Sequence, residues 1–320
     1  MLNPVTTVLG DIPGSALGFC QSHEHVYISF SHPVSVEQLI DDPDKSLMEL
    51  LAYFRAGGGA VVDAQPLGCG RNAAILSSLA RQSGVHIIAS TGFHKLSYYP
   101  ENHWIHSLSE DHLAHIFTGE LEQGMYLDGG AVFPQKQCSA RAGQIKTALD
   151  REGLTPRYRR LFTAAAAAAV KTGKPLMVHV EQSSDPAALS DFLQDIGLPP
   201  EQIIFCHLDR AVPDRRVHRE ICRRGSCLEY DTIGRPKYHD DLEEITLIRG
   251  LLEAGYGTRL LLSMDTTRGR LRSYGGVPGL TYIIEQFIPQ MLDWGIDREQ
   301  IEGFFVKNPA RIFASHSRNS

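Results

Sequence analysis

The 320-residue chain has no long apolar run: nothing in it approaches the about 18 uninterrupted apolar residues that a membrane-spanning helix needs. It also has no excess of basic residues. The formal net charge is −6, and no Lys/Arg run of useful length occurs, which argues against a nucleic-acid partner. Paired CxxC motifs are absent. The six cysteines, at 20, 69, 138, 206, 222 and 227, are scattered and are expected to be reduced thiols of a cytoplasmic protein. The opening "MLNPVTTVLGDIPG" lacks a basic segment followed by an apolar one, so no secretory leader is expected. No glycine-rich phosphate loop follows the first strand-like run, which disfavours a doubly wound dinucleotide-binding sheet.

What is present is an alternation of short apolar runs and longer helical stretches. The strand-like runs are 19–26, 60–65, 85–91, 142–148, 175–181, 203–207, 226–232 and 259–265. Helical material is expected at 35–56, 71–83, 156–172, 184–196, 214–224, 240–254 and 278–294. Eight short apolar or β-branched runs, each followed by helical sequence, predict a (β/α)8 TIM barrel, whose strands are buried on both faces. "VTTVLGDIPGSALG" reads as a short N-terminal β-hairpin leading into it. The six alanines at 164–169 suit a closely packed barrel helix. Segment 92–140 is too long for one loop and one helix and is expected to hold an excursion. No linker interrupts the pattern, so residues 1–320 are read as one domain.

Polar residues gather at the C-terminal ends of these strands, where barrels place catalytic groups. "SHEH" closes the first run, and the i, i+2 spacing puts His23 and His25 on one strand face while Glu24 points away. His179 closes the fifth run, His207 the sixth and Asp265 the eighth. Any one of these could be a hydrogen-bonded strand-end residue. Four imidazoles and a carboxylate together suit a divalent metal site. Lys146, inside the apolar run "AGQIKTA", lies between the halves of that set. Burial and neighbouring cations both disfavour an ammonium there. As a neutral amine it can take up carbon dioxide and become an anionic carbamate able to bridge two metals.

These motifs resemble those of the phosphotriesterase-like family within the amidohydrolase superfamily. The markers are "HEH", "AGQIK", "VHVE", "CHLDR" and "LSMD", and the similarity extends from "TTVLGDIPGSALGFCQSHEH" to "FFVKNPARIF". The resemblance implies a binuclear centre: His23, His25 and Asp265 on the more buried ion, His179 and His207 on the more exposed one, and carboxylated Lys146 between them. Zinc is the first candidate, with manganese, cobalt or iron as alternatives. It also implies a metal-bridging hydroxide as nucleophile, Asp265 as the catalytic proton acceptor, and a homodimer.

The loops after the seventh and eighth strands are basic, supplying Arg235, Lys237, Arg268, Arg270 and Arg272, which suits an anion clamp. They resemble the branch that hydrolyses phosphorylated sugar lactones, with Lys237 and Arg268 at its phosphate-gripping positions. Where that branch has a tyrosine, this chain has Leu271. Tyr274, Arg270 or the loop bearing His94, Lys95 and Tyr98 are candidates to replace it. The substrate expected is therefore a small phosphorylated lactone or similar anionic ester. The rivals are hydrolysis of neutral phosphotriesters or acyl-homoserine lactones, and a non-catalytic metal-binding barrel.

Overall fold

The computed structural model describes residues 3–30, 34–127, 130 and 132–315; the terminal residues of the expected 1–320 domain, and 128, 129 and 131 of the expected excursion, lie outside them. Strands β1 (Val5–Thr7) and β2 (Gly10–Ile12) form the anticipated antiparallel hairpin, with Val5 opposite Ile12. Eight parallel strands follow: β3 (Phe19–Glu24), β4 (Gly58–Asp63), β5 (His86–Gly92), β6 (Gln144–Leu149), β7 (Leu176–Val180), β8 (Ile203–Cys206), β9 (Cys227–Tyr230) and β10 (Leu260–Leu262). They pair in sequence order from β3 to β10. The first and last strands are then joined above their ends: Asp265 N donates to His23 O at 3.0 Å, and Ser263 Oγ donates to the same oxygen. This is a (β/α)8 barrel with a hairpin at its N-terminus.

Alternation along each strand sorts side chains between two cores. On β7, Leu176, Val178 and Val180 face the helices, whereas Met177 joins Cys20, Ala60, Val62, Ile88, Ile204, Cys227 and Leu261 inside the barrel. His179 follows Met177 by two residues, so it inherits the inward direction at the strand's C-terminal end.

Most of the barrel helices begin at a side-chain cap, and three of them follow it with proline. α1 (Pro43–Arg55) starts at Asp42, whose carboxylate accepts from Asp44 N and Lys45 N. α2 (Ala73–Ser83) and α3 (Glu110–Glu122) are capped by Asn72 and Ser109. α4 (Pro156–Thr172) and α5 (Pro186–Asp195) repeat the cap–proline pattern with Thr155 and Asp185. The alanine run lies on α4, which packs closely on α3. The expected helix 35–56 is broken at 39–42, where Ile40 instead bridges to Ile28. A one-turn helix α6 (Leu208–Ala211), which the periodicity did not reveal, precedes α7 (Arg215–Arg224) and α8 (Asp241–Glu253). The expected 278–294 helix begins at 283.

The expected excursion in 92–140 is real. After α3 the chain doubles back, with Met125 N donating to Ala140 O and Cys138 N to Met125 O. Among the described residues, no helix is long and apolar enough to cross a membrane.

Candidate active site

The C-terminal ends of the barrel strands bring all six anticipated residues together. His23 and His25 share a face, with ring centroids 5.7 Å apart. Glu24 turns away, and its carboxylate accepts from Met264 N and Thr266 N, fixing the loop after β10. That loop delivers Asp265, whose Oδ1 lies 3.4 Å from His25 Nε2 and 3.7 Å from His23 Nε2. Lys146, fully buried on β6, places Nζ 3.1 Å from His23 Nε2. His207 stands 4.9 Å from His23 and 4.4 Å from His179, ring to ring.

Two of these residues occupy backbone conformations that ordinary side chains avoid: His207 at φ 67° and Asp265 at φ 48°. Such geometry costs about 1–3 kcal/mol and persists where the surroundings over-determine it, often at functional positions. Both are pinned: His207 by the α6 turn, whose Ala211 N donates to its carbonyl, and Asp265 by its N–H on His23 O.

The donor set fits divalent metals. His23, His25 and Asp265 present ligand atoms that all lie within 4.8 Å of one another. His25 Nε2 and His23 Nε2 stand 3.4 and 3.7 Å from Asp265 Oδ1, the spacing expected of ligands that share one ion at about 2.0–2.2 Å. Burial, reinforced by Lys146, pushes the His23 imidazole down to about 4. Burial also pushes His179 and His207 down, which keeps their ring nitrogens available as neutral ligands. Against the effect of its burial, Arg210 holds the Asp265 carboxyl well below the usual range. Among the described residues no carboxylate lies within ion-pair distance of buried Lys146 Nζ.

Above this cluster opens a cavity of about 490 Å³, ample for a small metabolite. His94, Tyr98, Arg235 and Arg268 line it, as the sequence suggested. Lys237 does not line it: the residue is exposed, with Nζ 4.7 Å from the Tyr238 ring. Arg268 is tied at the rim to Leu39 O and Asp41, both at 3.2 Å. Leu271 is buried and does not reach the cavity. Of its candidate replacements, Tyr274 bonds the Asp42 backbone and Arg270 donates to Ile233 O and Gly234 O, so both brace loops. His94, Lys95 and Tyr98 remain at the cavity wall.

Three residues without a role in the sequence reading belong to the site. Asp231, just past β9, accepts from His207 Nδ1 at 2.7 Å and lies 3.2 Å from His23 Nδ1. Arg210 and Tyr238 line the cavity. The signal for Asp231 was available, since it ends "CLEYD" as Asp265 ends "LLSMD". Arg210 stood inside the quoted "CHLDR" with nothing to say that its side chain turns inward.

A parallel barrel with such a cluster at the C-terminal ends of its strands defines a metal-dependent hydrolase of the amidohydrolase type. Residues 3–313 match the phosphotriesterase family, and the chain belongs to it. It is 29% identical to a phospho-furanose lactonase of Mycoplasmopsis synoviae (strain 53), over 96% of this chain and 91% of that protein. It is 28% identical to the N-acetyltaurine hydrolase of Homo sapiens, over 95% and 96% of the two chains. Among solved structures, a lactonase from Listeria monocytogenes superposes with a TM-score of 0.89 at 26% identity, covering 98% of this chain and 99% of that one.

Proposed function

We propose that this hydrolase opens a small anionic lactone, a phosphorylated sugar lactone first among candidates, with two divalent ions held by the six clustered residues. The observation that carries this reading is the buried cluster of four imidazoles, Lys146 and Asp265 beneath a cavity with five basic and three acidic lining residues. His23, His25 and Asp265 would hold one ion and His179 and His207 the other, with Lys146, carboxylated on Nζ, supplying an anionic ligand to the centre. When bound, such a pair lowers the pKa of a water and polarises the substrate carbonyl; zinc is the first candidate, with manganese, cobalt and iron alternatives. Asp265 supplies the proton-accepting oxygen beside the attacking water and returns the proton to the leaving oxygen of the opened ring. His94 and Tyr98, whose rings stand 4.6 Å apart, wall the side of the cavity nearest His179. Arg235, Arg268 and, at the outer rim, Lys237 attract the anionic substituent.

The relatives support a compact anionic substrate, since phosphorylated furanose and taurine both carry an oxyanion. The N-acetyltaurine hydrolase likeness makes a short anionic amide the second reading, and neutral phosphotriesters or acyl-homoserine lactones the third. We further read residues 1–320 as one domain, acting as a cytoplasmic homodimer, which light scattering on the purified protein tests.

Turnover of phosphorylated lactones, neutral lactones, N-acetyltaurine and a phosphotriester by metal-reconstituted protein decides among these. Lys146→Met is expected to lower kcat at least about a hundredfold and to drop the metal content below two per chain by elemental analysis. Two retained metals and near-normal turnover in that variant would remove Lys146 from the centre.

A further inference from the structure

The charges lining the cavity are unevenly matched. Lys95 and Arg151 face separate oxygens of Glu181, at 2.7 and 3.7 Å, and Arg151 is 69% exposed. Arg268 is engaged by Asp41 and a carbonyl. Arg210 and Arg235, by contrast, converge on a single atom: Arg210 Nη2 and Arg235 Nη1 both donate to Asp265 Oδ2, each at 2.8 Å. These are the hydrogen bonds that the two guanidinium groups make among the described residues. A guanidinium carries five N–H donors, so most of their capacity is unspent. Arg210 Nη1 is buried without a partner, 3.4 Å from Asp231 Oδ1 but poorly aligned with it. Both guanidiniums also lie over the same ring, 5.0 and 5.3 Å from the centroid of Tyr238.

We propose that Arg210 and Arg235 form the oxyanion-binding subsite of this cavity, with Tyr238 as the flat platform that holds both groups in place. Planar, forked donors suit a tetrahedral or planar oxyanion, and stacking preorganises them. The subsite takes the phosphate, sulfonate or carboxylate substituent of the substrate. It rests on the hydrolase reading above for the presence of a scissile bond in the same cavity. Its position adds a constraint on the substrate: because both arginines touch Asp265, the anion binds beside the reacting bond. The substrate is therefore compact, with its oxyanion a few bonds from the scissile carbonyl, and a long anionic tail is excluded. Arg268 and exposed Lys237 then serve in attraction at the rim, and the pair on β8 and β9 loops sets specificity.

The test uses metal-loaded wild type and the variants R210Q, R210K, R235Q and R268Q. Each is assayed on lactones sharing one ring and bearing a phosphate, a carboxylate or no charge. The preference for anionic over neutral lactone, as a ratio of kcat/KM, is expected to fall at least about tenfold in R210Q and R235Q. R210K should retain part of it, and R268Q, whose guanidinium is held at the rim by Asp41, should lose less of it than either R210Q or R235Q. The anion that loses most identifies the natural substituent. An unchanged ratio in R210Q and R235Q, with the loss appearing in R268Q, overturns the proposal. Thermal shift by inorganic phosphate is measured in parallel, because it needs no turnover. Wild type should be stabilised more than either variant, and equal shifts overturn the subsite. If wild type opens no lactone, the lactonase reading fails while the phosphate shift still decides the subsite. R235Q, on an external loop, keeps the test decisive if R210Q does not fold.

Discussion

Asp231 shows how one side chain can govern a site whose reacting groups it never meets. Its carboxylate is fully buried between His207, whose Nδ1 donates to it at 2.7 Å, and His23, whose Nδ1 lies 3.2 Å away. Against the effect of burial, His207 and Arg210 hold it well below the usual carboxylate range, so it stays anionic. An anion at Nδ1 fixes the imidazole tautomer, leaves Nε2 as the free ligand atom and raises its basicity. Asp231→Asn keeps the shape but removes the charge and offers an amide donor towards one ring. The expected result is a 10–100-fold loss of metal affinity, read as faster stripping by a chelator. Chelator resistance equal to wild type would reduce Asp231 to a packing residue.

At the scale of elements, the excursion after β5 is held by an ion pair that no local pattern announces. Arg71, before α2, and Glu120, on α3, are both fully shielded and pair at 2.6 Å. Arg71 also donates to Ser90 O and Tyr126 O, and Glu120 accepts from Tyr126 N, so the returning chain is stitched to the barrel. Removing one partner of such a pair strands the other charge. Glu120→Ala should therefore destabilise by roughly 3–5 kcal/mol, visible as a lower denaturation midpoint at constant metal. A midpoint within experimental error of wild type would show that water enters and rehydrates Arg71.

This pair marks the boundary of what was legible in the sequence. Strand count, hairpin and the places of His23, His25, Lys146, His179, His207 and Asp265 could be read, because two-residue alternation and strand ends are local features. The excursion was visible through its length alone, since its closure depends on residues 49 apart. The inward course of Arg210 was not readable either. It follows from His207 entering the left-handed region and starting α6, a tertiary constraint that no local pattern announces. Lys237 and Arg235 are two residues apart on one loop, and only three-dimensional packing separates the exposed one from the one at the cavity.

Across the whole molecule, the chemistry occupies one end of the barrel, and the N-terminal hairpin with residues 312–315 closes the other. Lys174, just before β7, is 5% exposed and joins the two termini: Nζ donates at 2.7 Å to Thr6 Oγ1 on β1 and at 2.7 Å to Ser315 Oγ. Burial pushes its pKa down from 10.5 to about 8, with Asp11 opposing and Arg141 assisting. Between those two values the unfolded chain binds the proton more tightly than the folded one. Stability contributed by this site therefore rises as pH increases from about 8 to 10.5 and levels off above. The gain across that window is roughly 2–3 kcal/mol after allowance for its partial hydration. Lys174→Met removes the titration, and the two lost hydroxyl contacts add an offset that does not depend on pH. Denaturant midpoints of wild type and variant, both metal-saturated, should diverge in wild type's favour as pH rises through the window. Parallel curves would mean that Lys174 keeps an ordinary lysine pKa and that solvent reaches the closed end of the barrel.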